Sequence, residues 1–402
     1  MNSLFASLTP RKRSLILLVI IYIGFISLGL PDTVLGVAWD SMRLELNLPV
    51  YYAGFVTTLL TACSAVSAFF SGAILRRVGT GRLLMLCGFV TGFSLLGYAL
   101  APAFLVILLC AIPLGFGQGA VDTGMNYYVA KHYTSRDMSW LHCCWGIGAT
   151  VGPGIITAIL AAGASWRLGY AVVSSTQLIL AFVFLLTLSL WNESGKEDGG
   201  TESAVAGKVR YDIRFWCCPL MVFLYCGVEF SMGLWSYMFL TVCRGVSAEV
   251  AGYAVAGYWG MLTAGRFLVG IFANRLGNIR QIRCSMAGGL LGGILLAIPG
   301  IPYLPFAALG LIGFSFASFY PAMMHAAPER FDDATACTVI GYQGGAGMLG
   351  TALIPAVFGY AASRSSFQLL PCLIISFTFL IFLLQMRLDG WGRRDAACKK
   401  NA

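Results

Sequence analysis

This chain of 402 residues is 58% hydrophobic and only 11% charged, where soluble domains run to about 25% charged. Its mean hydropathy of +0.80 excludes an ordinary soluble fold. The net charge of +9 does not point to a nucleic-acid partner either, because the basic residues are sorted by loop, as shown below.

Twelve apolar runs reach the roughly 17–25 residues that cross a bilayer. They lie at 14–39, 51–75, 83–101, 103–130, 139–163, 168–191, 214–241, 249–273, 284–300, 303–327, 334–362 and 366–387, with 284–300 the weakest. The short alternating segments of a β-barrel are absent. The expected fold class is therefore an all-α polytopic membrane protein with 12 transmembrane helices. Span 1 follows Arg11, Lys12 and Arg13 but is too long for a signal peptide and lacks a small-residue cleavage site. With the N-terminus inside, the inner segments hold 21 Lys and Arg and the outer loops four, Arg43, Arg167, Arg244 and Arg364. That is the positive-inside pattern, and it predicts both termini in the cytoplasm of a cell membrane.

Only three acids lie well inside spans: Asp32, Asp122 and Glu229. An ionisable group in hydrocarbon costs about 2.5–3.5 kcal/mol on insertion scales, so it marks a cavity or a proton path. In span 1, Gly29, Asp32, Gly36 and Trp39 share a face beside Pro31, and the two glycines are expected to leave room for solute or water. In span 4, Gln118, Asp122 and Asn126 recur at i, i+4 and i+8 and form one polar stripe. In span 7, Tyr225, Glu229, Gly233 and Ser236 do the same. Asp32 sits roughly 27 Å from the inner end of its span and Asp122 roughly 12 Å at 1.5 Å per residue, which predicts two proton stations at separate depths. Candidate solute contacts are Gln118, Asn126, His142, Trp145, Trp235, Tyr258, Trp259, Tyr320, Tyr342 and Gln343, since aromatic faces and amides suit a polar solute; Trp and Tyr also form interfacial belts. Arg266 is expected to anchor helix contacts near the inner gate.

Residues 192–212 are rich in Gly, Ser and charge and read as a cytoplasmic linker. They separate an N-terminal bundle, 1–191, from a C-terminal bundle with a short tail, 213–402. The two halves match at an offset of 198: Gly72, Arg77 and Gly79 fall opposite Gly270, Arg275 and Gly277, and Gly115 falls opposite Gly313. Two repeats of six spans point to alternating access with the site between the halves.

The segment after span 2, GAILRRVGTGR, resembles the loop signature of the major facilitator superfamily, through Gly72, Arg77, Gly79 and Arg82. The second copy, GIFANRLGNIR, repeats it with Gly270, Arg275 and Gly277. The acid of the signature, which in the family meets a helix dipole at the gate, is replaced by Arg76 and Asn274. The stretches GLPDTVLGVAW and NYYVAKHYTSRDMSWLHCCWGIGATVGP resemble the fucose-permease-like branch of sugar:proton symporters. The resemblance implies two pseudo-symmetric six-helix bundles and a functional monomer whose partners are a small solute and protons. It also implies that spans 1, 4 and 7, which carry the three acids, line a central cavity.

The leading expectation is proton-coupled symport of a sugar or similar small polar solute, with Asp32, Asp122 and Glu229 as proton carriers. The alternative is a proton-driven efflux antiporter, because Gly148-Ala-Thr-Val-Gly152-Pro153 resembles part of the antiporter motif of span 5. The arginine that antiporters carry in span 4 falls at Gly115 here. A transport-dead receptor ranks last, and no catalytic set is visible, so no enzyme is expected. The 13 cysteines contain no CxxC pair and lie mostly within spans, so neither metal nor cofactor is expected. GFGQGA at 115–120 lies inside a span with no preceding strand, which removes a dinucleotide site.

Overall fold

The computed structural model describes residues 9–49, 52–192 and 208–401; most of the expected linker, 193–207, and the side chains beyond Trp391 lie outside the described residues. All regular structure among the described residues is helical. The long helices are α1 (Pro10–Glu45), α2 (Tyr52–Val78), α3 (Thr80–Leu100), α4 (Phe104–His132), α5 (Ser135–Ala161) and α6 (Trp166–Leu186). They continue as α7 (Ile213–Met238), α8 (Ala248–Leu276), α9 (Asn278–Ala297), α10 (Leu304–Phe316), α11 (Asp333–Arg364) and α12 (Leu370–Asn401). Among the described residues, eleven spans are long and apolar enough to cross a membrane. The twelfth, α9, lies where span 284–300 was expected but starts at Asn278, so Arg280 and Arg283 enter its first turns and make it the least apolar. Span 10 is a broken helix, α10 followed by Phe319–His325.

The chain divides into two compact units. The first comprises Met1–Tyr128 and Leu141–Lys208. Its apolar core gathers Trp39, Met42, Tyr98, Trp166 and Tyr170 at one end of the bundle, while Leu15, Val19 and Ile23 form an exposed stripe on α1 that suits lipid. Three prolines, Pro31, Pro113 and Pro153, interrupt its helices, and at Pro31 and Pro153 the lost bond is replaced from a neighbouring helix. Pro31 has no N–H for the carbonyl of Ser27; that oxygen accepts from Gln177 Nε2 at 2.6 Å. Pro153 likewise frees the carbonyl of Ala149, which accepts from Thr33 Oγ1 at 2.8 Å. Both prolines can thus stay in the helix without leaving a bare carbonyl in an apolar setting.

The second unit comprises Val129–Trp140 and Val209–Ala402. Inside it, the end of α4 and the start of α5 are held by residues far along the chain. Lys131 Nζ meets Asp333 Oδ2 at 2.6 Å. Ser135 Oγ donates to Asn278 Oδ1 at 2.9 Å and accepts from Gln281 Nε2 at 2.9 Å. The Asn278 amide reaches Glu329 Oε1 at 2.7 Å and His325 Nδ1 at 2.8 Å, and His325 Nε2 lies 2.9 Å from the Tyr133 carbonyl.

Each unit repeats the other's local solutions. Gly79 and Gly277 both take positive φ, 83° and 73°, and start α3 and α9 from the same conformation, one that side chains with a Cβ rarely adopt. A Cβ on Gly115 would collide with the Leu60 carbonyl, and one on Gly313 with that of Tyr258; both pairs obey the offset of 198. The end of α3 is capped by Arg167, on the Ala99 and Ala101 carbonyls at 3.2 and 2.7 Å. The end of α9 is capped by Arg244, on the Leu296 and Ala297 carbonyls at 2.8 and 3.2 Å.

Candidate functional site

The polar stripe on α4 forms the centre of the first unit. Asp32 is exposed on α1, and its carboxylate accepts two hydrogen bonds from neutral donors. Gln118 Nε2 donates to Oδ1 at 2.8 Å, and Trp145 Nε1 donates to Oδ2 at 2.9 Å. One turn along α4, half-buried Asp122 accepts from Asn126 Nδ2 through Oδ1 at 3.1 Å and through its backbone carbonyl at 3.0 Å. Asn126 Oδ1 faces His142 Nε2 at 3.1 Å, and Phe25 stands edge-on to that imidazole at 5.5 Å. No ion pair among the described residues involves Asp32 or Asp122.

This geometry corrects the expected depths. Gln118 precedes Asp122 by one turn, about 6 Å, and it bonds directly to Asp32, so the two carboxylates are near neighbours. Counting from helix ends misled because α1 has 36 residues and α4 has 29; both exceed the span of a bilayer and extend past it unequally. A second correction concerns Gly29. A Cβ there would strike the Trp145 carbonyl, and one on Gly148 would strike that of Ile26. These glycines bring the α1 and α5 backbones into contact, as small residues do between membrane helices. Gly36 does border open space.

The second unit holds the third acid differently. Glu229 is buried and lies 3.2 Å from Arg266 Nη2. Tyr258 donates to the Glu229 carbonyl at 3.0 Å, and Tyr225 donates to the Phe316 carbonyl at 2.7 Å. Arg266 is therefore the counter-charge of an intramembrane acid on α7, and the helix contact it was expected to anchor is this pair between α7 and α8.

Several aromatic candidates have packing partners. Trp235 donates to the Pro355 carbonyl at 2.9 Å and packs on Phe358 and Phe367. Trp259 leans on Phe230 and Tyr258. Tyr342 joins Tyr211, Phe215 and Trp216 in one cluster. Tyr320 is half-buried against the stretch of α11 at Gly347. Gln343 is 1% exposed with neither amide atom hydrogen-bonded, and it occupies the repeat position of Trp145.

Of the loop-motif residues, Gly72 is buried, Arg76 is half-buried, and Arg77, Arg82 and Arg275 are exposed. A Cβ on Gly270 would meet the Trp140 indole at 2.7 Å. Asn274, in the place of the signature's acid, accepts from the Arg136 backbone N–H at 3.0 Å, in the first turn of α5. A neutral amide here keeps an acceptor at a helix N-terminus. Sequence reasoning missed Thr33, Gln177, Ser135, Asn278 and Gln281; each is a polar residue whose partner lies on another helix, and no periodicity reveals such a pairing.

The family model described as the Major Facilitator Superfamily matches residues 21–355. The chain is 25% identical over 355 residues to the cis,cis-muconate transport protein of Acinetobacter baylyi, covering 82% of this chain and 83% of that protein. It is 23% identical over 270 residues to the glucose/mannose transporter GlcP of Bacillus subtilis, covering 63% of this chain and 67% of that protein. Among solved structures, a variant of the E. coli fucose:proton symporter FucP superposes with a TM-score of 0.75 at 12% identity, covering 93% of this chain and 98% of that one. An internally repeated helical chain whose family match runs over residues 21–355 is a membrane transporter and not an enzyme: it belongs to the major facilitator superfamily.

Proposed function

We propose that this transporter takes up a small polar solute, a sugar or a small organic acid, together with a proton, by alternating access in the cell membrane. Asp32 carries this reading. It is an exposed carboxylate in a membrane span, held only by the amide of Gln118 and the indole of Trp145. Neutral donors leave such a group free to take up and release a proton, and a protonated carboxyl can still bond to the same neighbours. Asp122 is the second carrier. Glu229 is the weaker candidate, because Arg266 already meets its charge. Coupling follows if proton and solute together favour the transition between inward- and outward-open states.

The duplicated scaffold supports two bundles, 1–191 and 213–402, joined by a cytoplasmic linker, with both termini in the cytoplasm. In the first unit Gln118 and Trp145, beside Asp32, are the polar groups proposed for a solute; in the second unit the candidate is Gln343. The antiport reading rests on Gly148 and Gly152, and both already have packing roles against α1.

The test is reconstitution in liposomes with an internal pH dye and a panel of D-glucose, D-mannose, L-fucose and cis,cis-muconate. At least one solute is expected to drive proton influx, and the flux is expected to be lost in Asp32→Asn and in Asp122→Asn. Undiminished flux in both variants would refute the coupling roles.

A further inference from the structure

In the second unit, two nitrogen donors lie buried with no acceptor among the described residues, Arg266 Nε on α8 and Trp140 Nε1 on α5. A guanidinium carries five N–H groups in a planar fork that matches the edge of a carboxylate. Glu229 takes one of them: its Oε1 meets Nη2 at 3.2 Å, a single contact where a bidentate pair makes two. Arg266 is half-buried, with 12% of its side chain exposed, so the fork is not sealed.

Trp259, Thr263, Arg266 and Gly270 recur at i, i+4, i+7 and i+11 and share one face of α8. Gly270 leaves a notch in that face, and the Trp140 indole fills it: a Cβ there would meet Nε1 at 2.7 Å. The unpaired indole N–H thus lies one turn of α8, about 6 Å, from the residue with the unpaired guanidinium N–H. Two donors without acceptors, one of them cationic, suit an anion that brings acceptor oxygens.

We propose that this face of α8 binds the carboxylate of an organic-acid solute on the N–H groups of Arg266 that Glu229 leaves unused. The proposal rests on the reading of the chain as a proton-coupled carrier and narrows its solute to an acid. Two carboxylates on one guanidinium leave an excess negative charge, which is costly inside a membrane span. One proton shared between them restores neutrality, since two carboxyls at one site do not both ionise readily. The undissociated acid carries that proton in. Its O–H proton passes to the pair of carboxyls as its own oxygens turn to the guanidinium, so Glu229 needs no separate path to water. The Trp140 N–H is the next donor along the face for a second polar group of the solute.

The other titratable groups at this pair are the Tyr225 and Tyr258 phenols, which donate to the Phe316 and Glu229 carbonyls, and the Cys226 thiol beside Tyr225. From α5 come Arg136, 5.0 Å from the centre of the Trp140 ring, and Asp137, 3.6 Å from Arg136. Of the two carboxyls, Glu229 is the one that touches the guanidinium.

The experiment is titration calorimetry of the full-length protein in lipid nanodiscs, with cis,cis-muconate and benzoate as probes and D-glucose as the uncharged control. A carboxylate probe is expected to bind and D-glucose is not. The Kd of the wild type is expected to rise about tenfold per pH unit between about pH 6 and 8, because one proton is taken up with each carboxylate; this measurement needs no variant to fold. Arg266→Lys keeps the counter-charge of Glu229 but lacks the fork, and binding is expected to weaken at least about tenfold. In Glu229→Gln the Kd is expected to become independent of pH. No binding of either carboxylate, binding of D-glucose in their place, a wild-type Kd that ignores pH, or an unchanged Kd in Arg266→Lys overturns the site. The liposome flux is read separately. Proton influx driven by D-glucose without carboxylate binding removes this site and leaves the symport, whereas carboxylate binding with no proton influx removes the symport and leaves the contact with Arg266.

Discussion

At the scale of single residues, what distinguishes one intramembrane acid from another is the kind of donor it meets. Asp32 meets an indole N–H and an amide, and Trp145→Phe deletes the first of these while keeping the ring. A hydrogen bond to a charged group contributes about 1.5–3 kcal/mol, so solute-driven proton influx should fall roughly tenfold or more, with the protein still folded by size-exclusion. Glu45, outside the spans, follows the opposite logic. Arg167 donates to its Oε1 at 2.8 and 3.1 Å and Trp166 to its Oε2 at 2.6 Å, and the Arg167 bonds hold its carboxyl below the usual value of 4.5. A depressed acid stabilises the fold above its unfolded value, and this stabilisation is lost as pH falls through the folded one. Because the pair is partly exposed, its contribution is small. Glu45→Gln should lower Tm by about 1–2 °C at pH 7, and the difference from wild type should shrink as the pH falls below the ordinary carboxyl value of 4.5, as paired melts would show.

Among elements, the buried pair Glu229–Arg266 ties α7 to α8. Removing one partner of such a pair costs about 3–5 kcal/mol, whereas an apolar replacement of both is often neutral or better. Glu229→Leu or Arg266→Met alone should destabilise strongly in thermal melts, and the double variant should recover most of the loss; a simple sum of the two losses would refute the pairing. The helix-end cluster around Asn278 gives a second test. Asn278→Ala removes the amide that joins Ser135, Glu329 and His325, and amide exchange across residues 129–140 should rise at least tenfold with the rest of the chain unchanged. Neither contact was legible in the sequence, for a shared reason. Glu229 and Arg266 were both picked out as intramembrane charges, but a separation of 37 residues across two helices carries no periodic signal. The stripe of Gln118, Asp122 and Asn126 was legible because it lies within one helix and follows its turn. Its neighbour Asp32 was misplaced because helix ends give no common zero of depth.

For the whole molecule, the repeat is a property of the backbone more than of the chemistry. Gly115 and Gly313 meet carbonyls 198 residues apart in the same way. Gly115→Val and Gly313→Val should therefore each destabilise by a similar amount, about 1–3 kcal/mol for overpacking, in denaturation of the reconstituted protein. The side chains at the site do not repeat: Asp122 corresponds to Tyr320, Asn126 to Met324 and His142 to Ile340. The fold was largely readable because hydropathy and small residues repeat with it; the placing of the proton chemistry in one repeat was readable only from the acids themselves. Residues 129–140 have a further consequence, for the order of manufacture. The ribosome delivers them well before Asn274, Asn278, His325 and Asp333, the groups that receive them in the folded chain. At about 5–20 residues per second, Lys131 waits roughly 10–40 s for Asp333 and Ser135 roughly 7–29 s for Asn278. A nascent chain stalled in that interval presents an unfinished turn between two helices, with its hydrogen-bonding groups still without the partners that hold them in the folded chain.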